Sequence, residues 1–266
     1  MLELGVLAAL LVQYGGALRW VARTWRDATY ESWGFLAVLL LVPVLLRLPP
    51  RRAEPSRSHL LGLAGLALLD LGLARLHLSI VSALLAVLSL HLWAVAFRTY
   101  PGRWWAQRQL WLGLLALPAV FWANVFVGFE LQQLATRLAG AGLRLYGLPV
   151  SWRGTVLALP GATVAVDPTC SGVRILYSGI LFGLLAAPSA TSHRRRVCFW
   201  GTLLLGLLLA NAGRVMCLAM AQLELGRPLG ESAHQAVGLL SFLLVAAASL
   251  LLLGRRAAPP VAEVCP

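Results

Sequence analysis

The chain has 266 residues, 59% of them hydrophobic and only 12% charged, with a mean hydropathy of +0.79. That balance excludes a soluble globular domain and indicates a polytopic membrane protein. The net charge of +12 comes from 22 basic residues, all arginine. They sit mostly in short loops beside apolar runs, where they set topology, so nucleic acid is not an expected partner.

Apolar runs of about 17 to 25 residues suit bilayer-spanning helices, since about 20 residues cross about 30 Å of hydrocarbon. The runs are continuous, whereas an outer-membrane barrel would alternate. The first covers about residues 2–18; it has no basic leader and no clear cleavage site, and reads as a span rather than a signal peptide. A second follows at 33–48. The stretch from Leu60 to Phe97 is too long for one helix, and Asp70, Arg75, His77 and Ser79 divide it into spans at 60–74 and 80–97. A fifth runs from about Leu110 to Phe129.

Residues 130–169 hold no span. Leu131, Leu134, Leu138 and Leu145 recur at helical spacing between Gln132, Gln133, Arg137 and Arg144, which predicts an amphipathic helix along the interface. Beyond it, Val150, Trp152, Val156 and Val164 favour strands, and Pro160-Gly161 is a turn signal, so a β-hairpin-like segment is expected. Spans at about 170–187, 197–221 and 234–253 complete the chain. The expected fold class is therefore all-α, with about eight transmembrane helices in a single domain: 1–129 five spans, 130–169 extracytoplasmic, 170–253 three spans, and 254–266 a cytoplasmic tail.

Orientation follows from the arginines. Loops around 47–57, 98–108, 193–196 and 255–256 carry twelve, against eight spread over the opposite loops. The first group should be cytoplasmic, which puts 130–169 on the outer face. The loop at 19–32, with three arginines outside, fits this least.

Asp167 to Leu176 reads D-P-T-C-S-G-V-R-I-L. Pro168 and Gly172 bracket Thr169, Cys170 and Ser171, and helix-compatible sequence begins near Val173. Cys170 is thus expected at a helix N-terminus, where unpaired N–H groups and the helix dipole favour a thiolate, with Arg174 four residues on along the same face. The plain alternative is a small buried hydrophobe. Arg214 lies in the next span, flanked by apolar sequence; such arginines face a cavity or partner, or else snorkel to the interface. Facing a cavity, it would supply N–H donors to an oxyanion and hold a thiolate charged. His234, at the start of the last span, suits a general base and acid opposite a thiol, or is an interfacial polar residue. Asp167 and Glu231 could orient or charge-balance the pair, or cap helices. The topology brings Cys170, Arg214 and His234 to one outer level. The four cysteines, Cys170, Cys198, Cys217 and Cys265, lack C-x-x-C spacing, so no zinc knuckle or dithiol site is indicated.

C-S-G-V-R at Cys170 to Arg174, N-A-G-R at Asn211 to Arg214, and the following His234 resemble the exosortase and archaeosortase family in order and spacing. V-S-W-R-G-T-V-L-A-L-P-G before the cysteine resembles its pre-catalytic segment, and Y-E-S-W-G-F-L at Tyr30 to Leu36 resembles its Y-S-H-G-F-L loop, with Trp33 in place of the histidine. The resemblance implies a membrane cysteine protease or transpeptidase with Cys170 as nucleophile, Arg214 as transition-state stabiliser and His234 as proton-transfer residue. Ser171, Gly172, Arg174, Asn211 and Asp167 would support them. It also implies a bacterial inner-membrane location, exported partners bearing C-terminal PEP-CTERM-like tails of motif, transmembrane helix and basic cluster, and no metal or organic cofactor. Two rivals remain open: a transporter or scaffold in exopolysaccharide export, and a thiol oxidase, which would need paired outer cysteines, for which Cys170 and Cys217 are the candidates.

Overall fold

A computed structural model describes residues 2–27, 33–73, 76–187, 193–226 and 231–254, without the side chains of Glu231, Ala233, His234 and residues 252–254. The expected tail at 255–266 and residues 30–32 of the Tyr30 to Leu36 segment lie outside the described residues. Among the described residues the protein is mostly helical with one small three-stranded sheet, and its contacts divide it into two compact units, residues 1–123 and 124–266.

In the first unit, helices α1 (Leu2–Gln13) and α2 (Gly15–Thr24) are bent by 63° at Tyr14, so the expected first span is broken rather than straight. The bend sits beside Gly15 and Gly16, which weaken helix, and the Tyr14 hydroxyl is paired with Ser89 at 3.0 Å. Helices α3 (Gly34–Arg47), α4 (Arg57–Leu73), α5 (Ser79–Phe97) and α6 (Arg103–Leu115) follow. Asp70 lies within the expected span at 60–74, and the break falls beyond it, between α4 and α5. Asp70 is buried inside α4 and accepts hydrogen bonds from Gln13 Nε2 at 3.0 Å and Ser82 Oγ at 2.6 Å. Two donors let a carboxylate sit among apolar helices. Gly34, in the Tyr30 to Leu36 segment, presses on the Ala116 carbonyl and the Trp25 indole, whose Nε1 donates to that carbonyl at 2.9 Å.

The expected fifth span is also broken. Helix α6 ends three residues before Pro118, which lacks the N–H to continue it; helix resumes as α7 (Ala119–Ala123), passes through a π-helical turn, Asn124–Gly128, and becomes α8 (Phe129–Leu145). Among the described residues, three helices are long and apolar enough to cross a membrane, Ser79–Phe97, Pro168–Ala186 and His193–Leu225, or up to five if each of two bent pairs counts as one span. The expectation of about eight is met only to that extent. Helix α3, at 14 residues, is about 21 Å long and falls short of a 30 Å core.

In the second unit, α8 occupies the stretch of the expected amphipathic helix, and small residues make up most of the face it buries in the protein. Its buried residues are Gln132, Ala135, Thr136, Ala139, Gly140 and Leu143, while Leu134 and Leu145 are exposed. Small residues allow close approach to a neighbouring helix, here α10 (His193–Leu225), and Met216 of α10 fills the space beside Gly142. The extended segment is a meander: β1 (Ser151–Arg153), β2 (Val156–Leu159) and β3 (Ala162–Ala165), antiparallel in the order β1-β2-β3. Its turns fall at Gly154 (φ +59) and at Pro160-Gly161 (φ +77), where glycine tolerates the left-handed backbone. Leu157, Leu159, Val164 and Val166 share one face and pack on Ala135, Ala139 and Leu143 of α8 and on Val215 and Ala219 of α10. The sheet is pinned to α8 by Arg144, which donates to the Val150 carbonyl at 2.6 Å and lies 4.3 Å over the Trp152 ring. Helices α9 (Val173–Ala186) and α11 (Glu231–Gly254) pack against α10. At 33 residues α10 is about 50 Å long, some 20 Å more than a bilayer core, and the sheet covers part of that excess.

Candidate functional site

Strand β3 leads through Val166 and Asp167 into a single 3-10 turn, Pro168–Cys170. Proline at the first position suits such a start, because its missing N–H would have no partner there. The Cys170 N–H donates to the Asp167 carbonyl at 2.8 Å and the Ser171 N–H to the Pro168 carbonyl at 3.0 Å. Gly172 then reverses the chain with φ +89 and ψ 0, and α9 starts at Val173.

This geometry corrects the expected helix position of the cysteine. Cys170 closes the turn two residues ahead of Gly172, the N-cap of α9, so it does not lie in the first turn of that helix. A left-handed residue intervenes, so Cys170 and Arg174 share no helical face. Arg174 is exposed, whereas Cys170 is 4% exposed and sits in the apolar cluster of the sheet, α8 and α10. Asp167 is exposed and its side chain makes no cap hydrogen bond.

Asn211 joins the turn to α10. Its Nδ2 donates to the Cys170 carbonyl at 2.9 Å, and a Cβ on Gly172 would come within 2.9 Å of the same nitrogen. Gly172 is therefore required twice, by its positive φ and by this contact. Asn211 is 2% exposed, and its Oδ1 has no hydrogen-bond partner among the described residues.

Arg214 follows Asn211 by three residues, about one turn along α10 and on an adjoining position of its surface. It is half-buried, its guanidinium lies 3.6 Å from where a Cβ on Gly238 would be, and its Nε is buried without a hydrogen-bond partner among the described residues. Gly238 belongs to α11, and His234 precedes it there by one turn. The His234 side chain lies outside the described residues, as does that of Glu231. A continuous path thus runs from the Cys170 turn through Asn211 to Arg214 and the N-terminal half of α11.

Two residues beyond the expected set support the turn. Ser171, 4% exposed, donates from Oγ to Asn124 Oδ1 at 3.4 Å, and its Oγ accepts from the Val173 N–H at 3.4 Å. Asn124 opens the π-helical segment, a rare geometry that is frequent at functional sites. Gln132, buried in α8, donates from Nε2 to the carbonyl of Val166. The signal for Asn124 was a lone amide in the apolar run W-A-N-V-F-V-G; Gln132 read only as part of a polar face. Cys217 is exposed on α10, and neither it nor Cys170 is in a disulfide.

The family model described as Transmembrane exosortase (Exosortase_EpsH) matches residues 25–252. Neither the curated proteins nor the solved structures give a significant match.

Proposed function

Because this chain belongs to the transmembrane exosortase family, we propose that it is a membrane cysteine transpeptidase or protease acting on C-terminal sorting tails of exported proteins. The observation that carries the reading is the Asn211 hydrogen bond, which ties the C-S-G turn to the helix bearing N-A-G-R, so that two motifs separated in sequence form one construction.

In this mechanism His234 takes the thiol proton as Cys170 Sγ attacks the carbonyl carbon of the scissile peptide. Arg214 donates hydrogen bonds to the oxygen as it becomes negative, the part that backbone donors play in soluble proteases at about 3 to 4 kcal/mol each. The C–N bond breaks, His234 protonates the leaving amine, and a thioester to Cys170 remains. Water or an amine acceptor then takes the acyl group and restores the thiol. Asn211, Gly172 and Ser171 hold the turn, and Asp167 and Arg174 set the charge around it. The chemistry is placed at the outer face of a bacterial inner membrane, in a chain of about eight spans with residues 130–169 outside. The substrate tail's own transmembrane helix would halt it in the bilayer beside the enzyme.

One observation favours the non-enzymatic reading, a transporter or scaffold in exopolysaccharide export: Cys170 is buried among apolar side chains, where structural cysteines are inert. Hydroxylamine separates the two. It converts a thioester to a hydroxamate, so membranes treated during processing should yield exported proteins ending in a C-terminal hydroxamate, and Cys170→Ala membranes none. Cleaved proteins ending only in free carboxylates would remove the thioester from the account.

A further inference from the structure

Strand β3 is an edge strand that runs straight into the candidate nucleophile turn. The Val166 N–H donates to the Thr155 carbonyl at 2.8 Å, which fixes the parity of the ladder. By alternation, Ala162 and Val164 direct their N–H and C=O groups to β2, while those of Thr163 and Ala165 point away from the sheet. Both residues are exposed, and among the described residues their outward main-chain groups make no hydrogen bond.

Edge strands in soluble proteins are protected by charged side chains, proline, bulges or cover. This one reads Ala-Thr-Val-Ala and carries none of the first three. It is held firmly from below: Val164 and Val166 are buried against α10, and Gln132 fixes the Val166 carbonyl. A helix cannot satisfy such an edge, since its own main chain is internally bonded. An extended peptide can, through N–H and C=O groups at alternate residues.

We infer that the outer edge of β3 docks an extended segment of the substrate, held by main-chain hydrogen bonds to Thr163 and Ala165, next to the bond presented to Cys170. This rests on the peptidase reading above. Cys170 lies five residue steps beyond Ala165, a reach of at most roughly 17 Å at full extension. The docked residues therefore lie within about five residues of the cleaved bond, between it and the rest of the exported protein or its tail.

The test uses the full-length protein in its own membrane, with Cys170→Ala to keep substrates uncleaved and a benzophenone amino acid at position 163 or at position 151. Ser151 is exposed on β1, on the far side of the sheet. Position 163 should cross-link exported proteins that still carry an apolar C-terminal tail, and position 151 should give little. In otherwise wild-type protein, Ala165→Pro removes one outward N–H without touching the β2 pairing, and should slow processing roughly tenfold at unchanged membrane level. Cross-links from position 163 only to a second copy of this chain, or equal yields at 163 and 151 while tailed proteins accumulate, would overturn the docking alone. Absence of any tailed protein in Cys170→Ala membranes would overturn the peptidase reading and the docking together.

Discussion

The side-chain amide of Asn211 donates to the main-chain carbonyl of Cys170 at 2.9 Å, and the same nitrogen occupies the space where Gly172 would carry a Cβ. One side chain on α10 thus sets both the position of the cysteine and the identity of the residue two beyond it. Asn211→Asp keeps the shape but replaces the donor by an acceptor facing a carbonyl. It should lose more processing activity than Asn211→Ala, which leaves the carbonyl unsatisfied at a cost of about 1–3 kcal/mol. Rates for the two variants on a tailed reporter, normalised to membrane level, check the order. Equal losses would mean that the hydrogen bond does not set the turn.

Gly172→Ala meets two penalties. A left-handed backbone costs a non-glycine residue about 1–2 kcal/mol, and the new methyl collides with Asn211. Only the second can be relieved by shortening position 211. Gly172→Ala with Asn211→Ala should therefore be less damaged than the sum of the single losses, and a double-mutant cycle on processing rate measures the coupling.

Gln132→Leu removes the donor to the Val166 carbonyl at the exit of β3. Leaving that acceptor unsatisfied costs about 1–3 kcal/mol, so thermal unfolding of the purified protein in detergent should start at lower temperature. Asp70→Leu acts differently. It removes the acceptor for Gln13 and Ser82 in the first unit, remote in sequence from the cysteine turn, and should lower membrane level while processing per molecule stays near wild type.

Arg214→Lys keeps a charge but loses the planar fork, and should reduce processing by 100-fold or more, on the order of one lost oxyanion donor. Near-normal turnover would take Arg214 out of the transition state. Its Nε, buried without a partner among the described residues, is a donor already removed from water.

Local patterns carried much of this architecture. Apolar runs marked where helices occur, β-branched residues with Pro160-Gly161 marked the meander, and Pro168 and Gly172 marked the turn before α9. What stayed hidden depended on partners distant in sequence. Asp70 counted among the polar residues that divide the stretch from Leu60 to Phe97, and its place inside α4 depends on donors 57 and 12 residues away, Gln13 and Ser82. The spacing of the leucines marked α8 as amphipathic, but not that its alanines and Gly140 would form the face against α10. Cys170 and Arg174 fit helical spacing on paper, and the positive φ of Gly172 between them was the feature that spacing could not reveal. Asn124 carried no motif; its role rests on Ser171, 47 residues on.

Cleavage by Cys170 near the C-termini of exported proteins, as proposed, is tested by comparing envelope proteins from cells carrying the wild type and cells carrying Cys170→Ala, with C-termini read by mass spectrometry. A set of proteins should keep an apolar, arginine-ended tail only in the mutant, and their wild-type ends give the cleavage motif. Identical C-termini in both, with the enzyme and tailed proteins present, would contradict this cleavage.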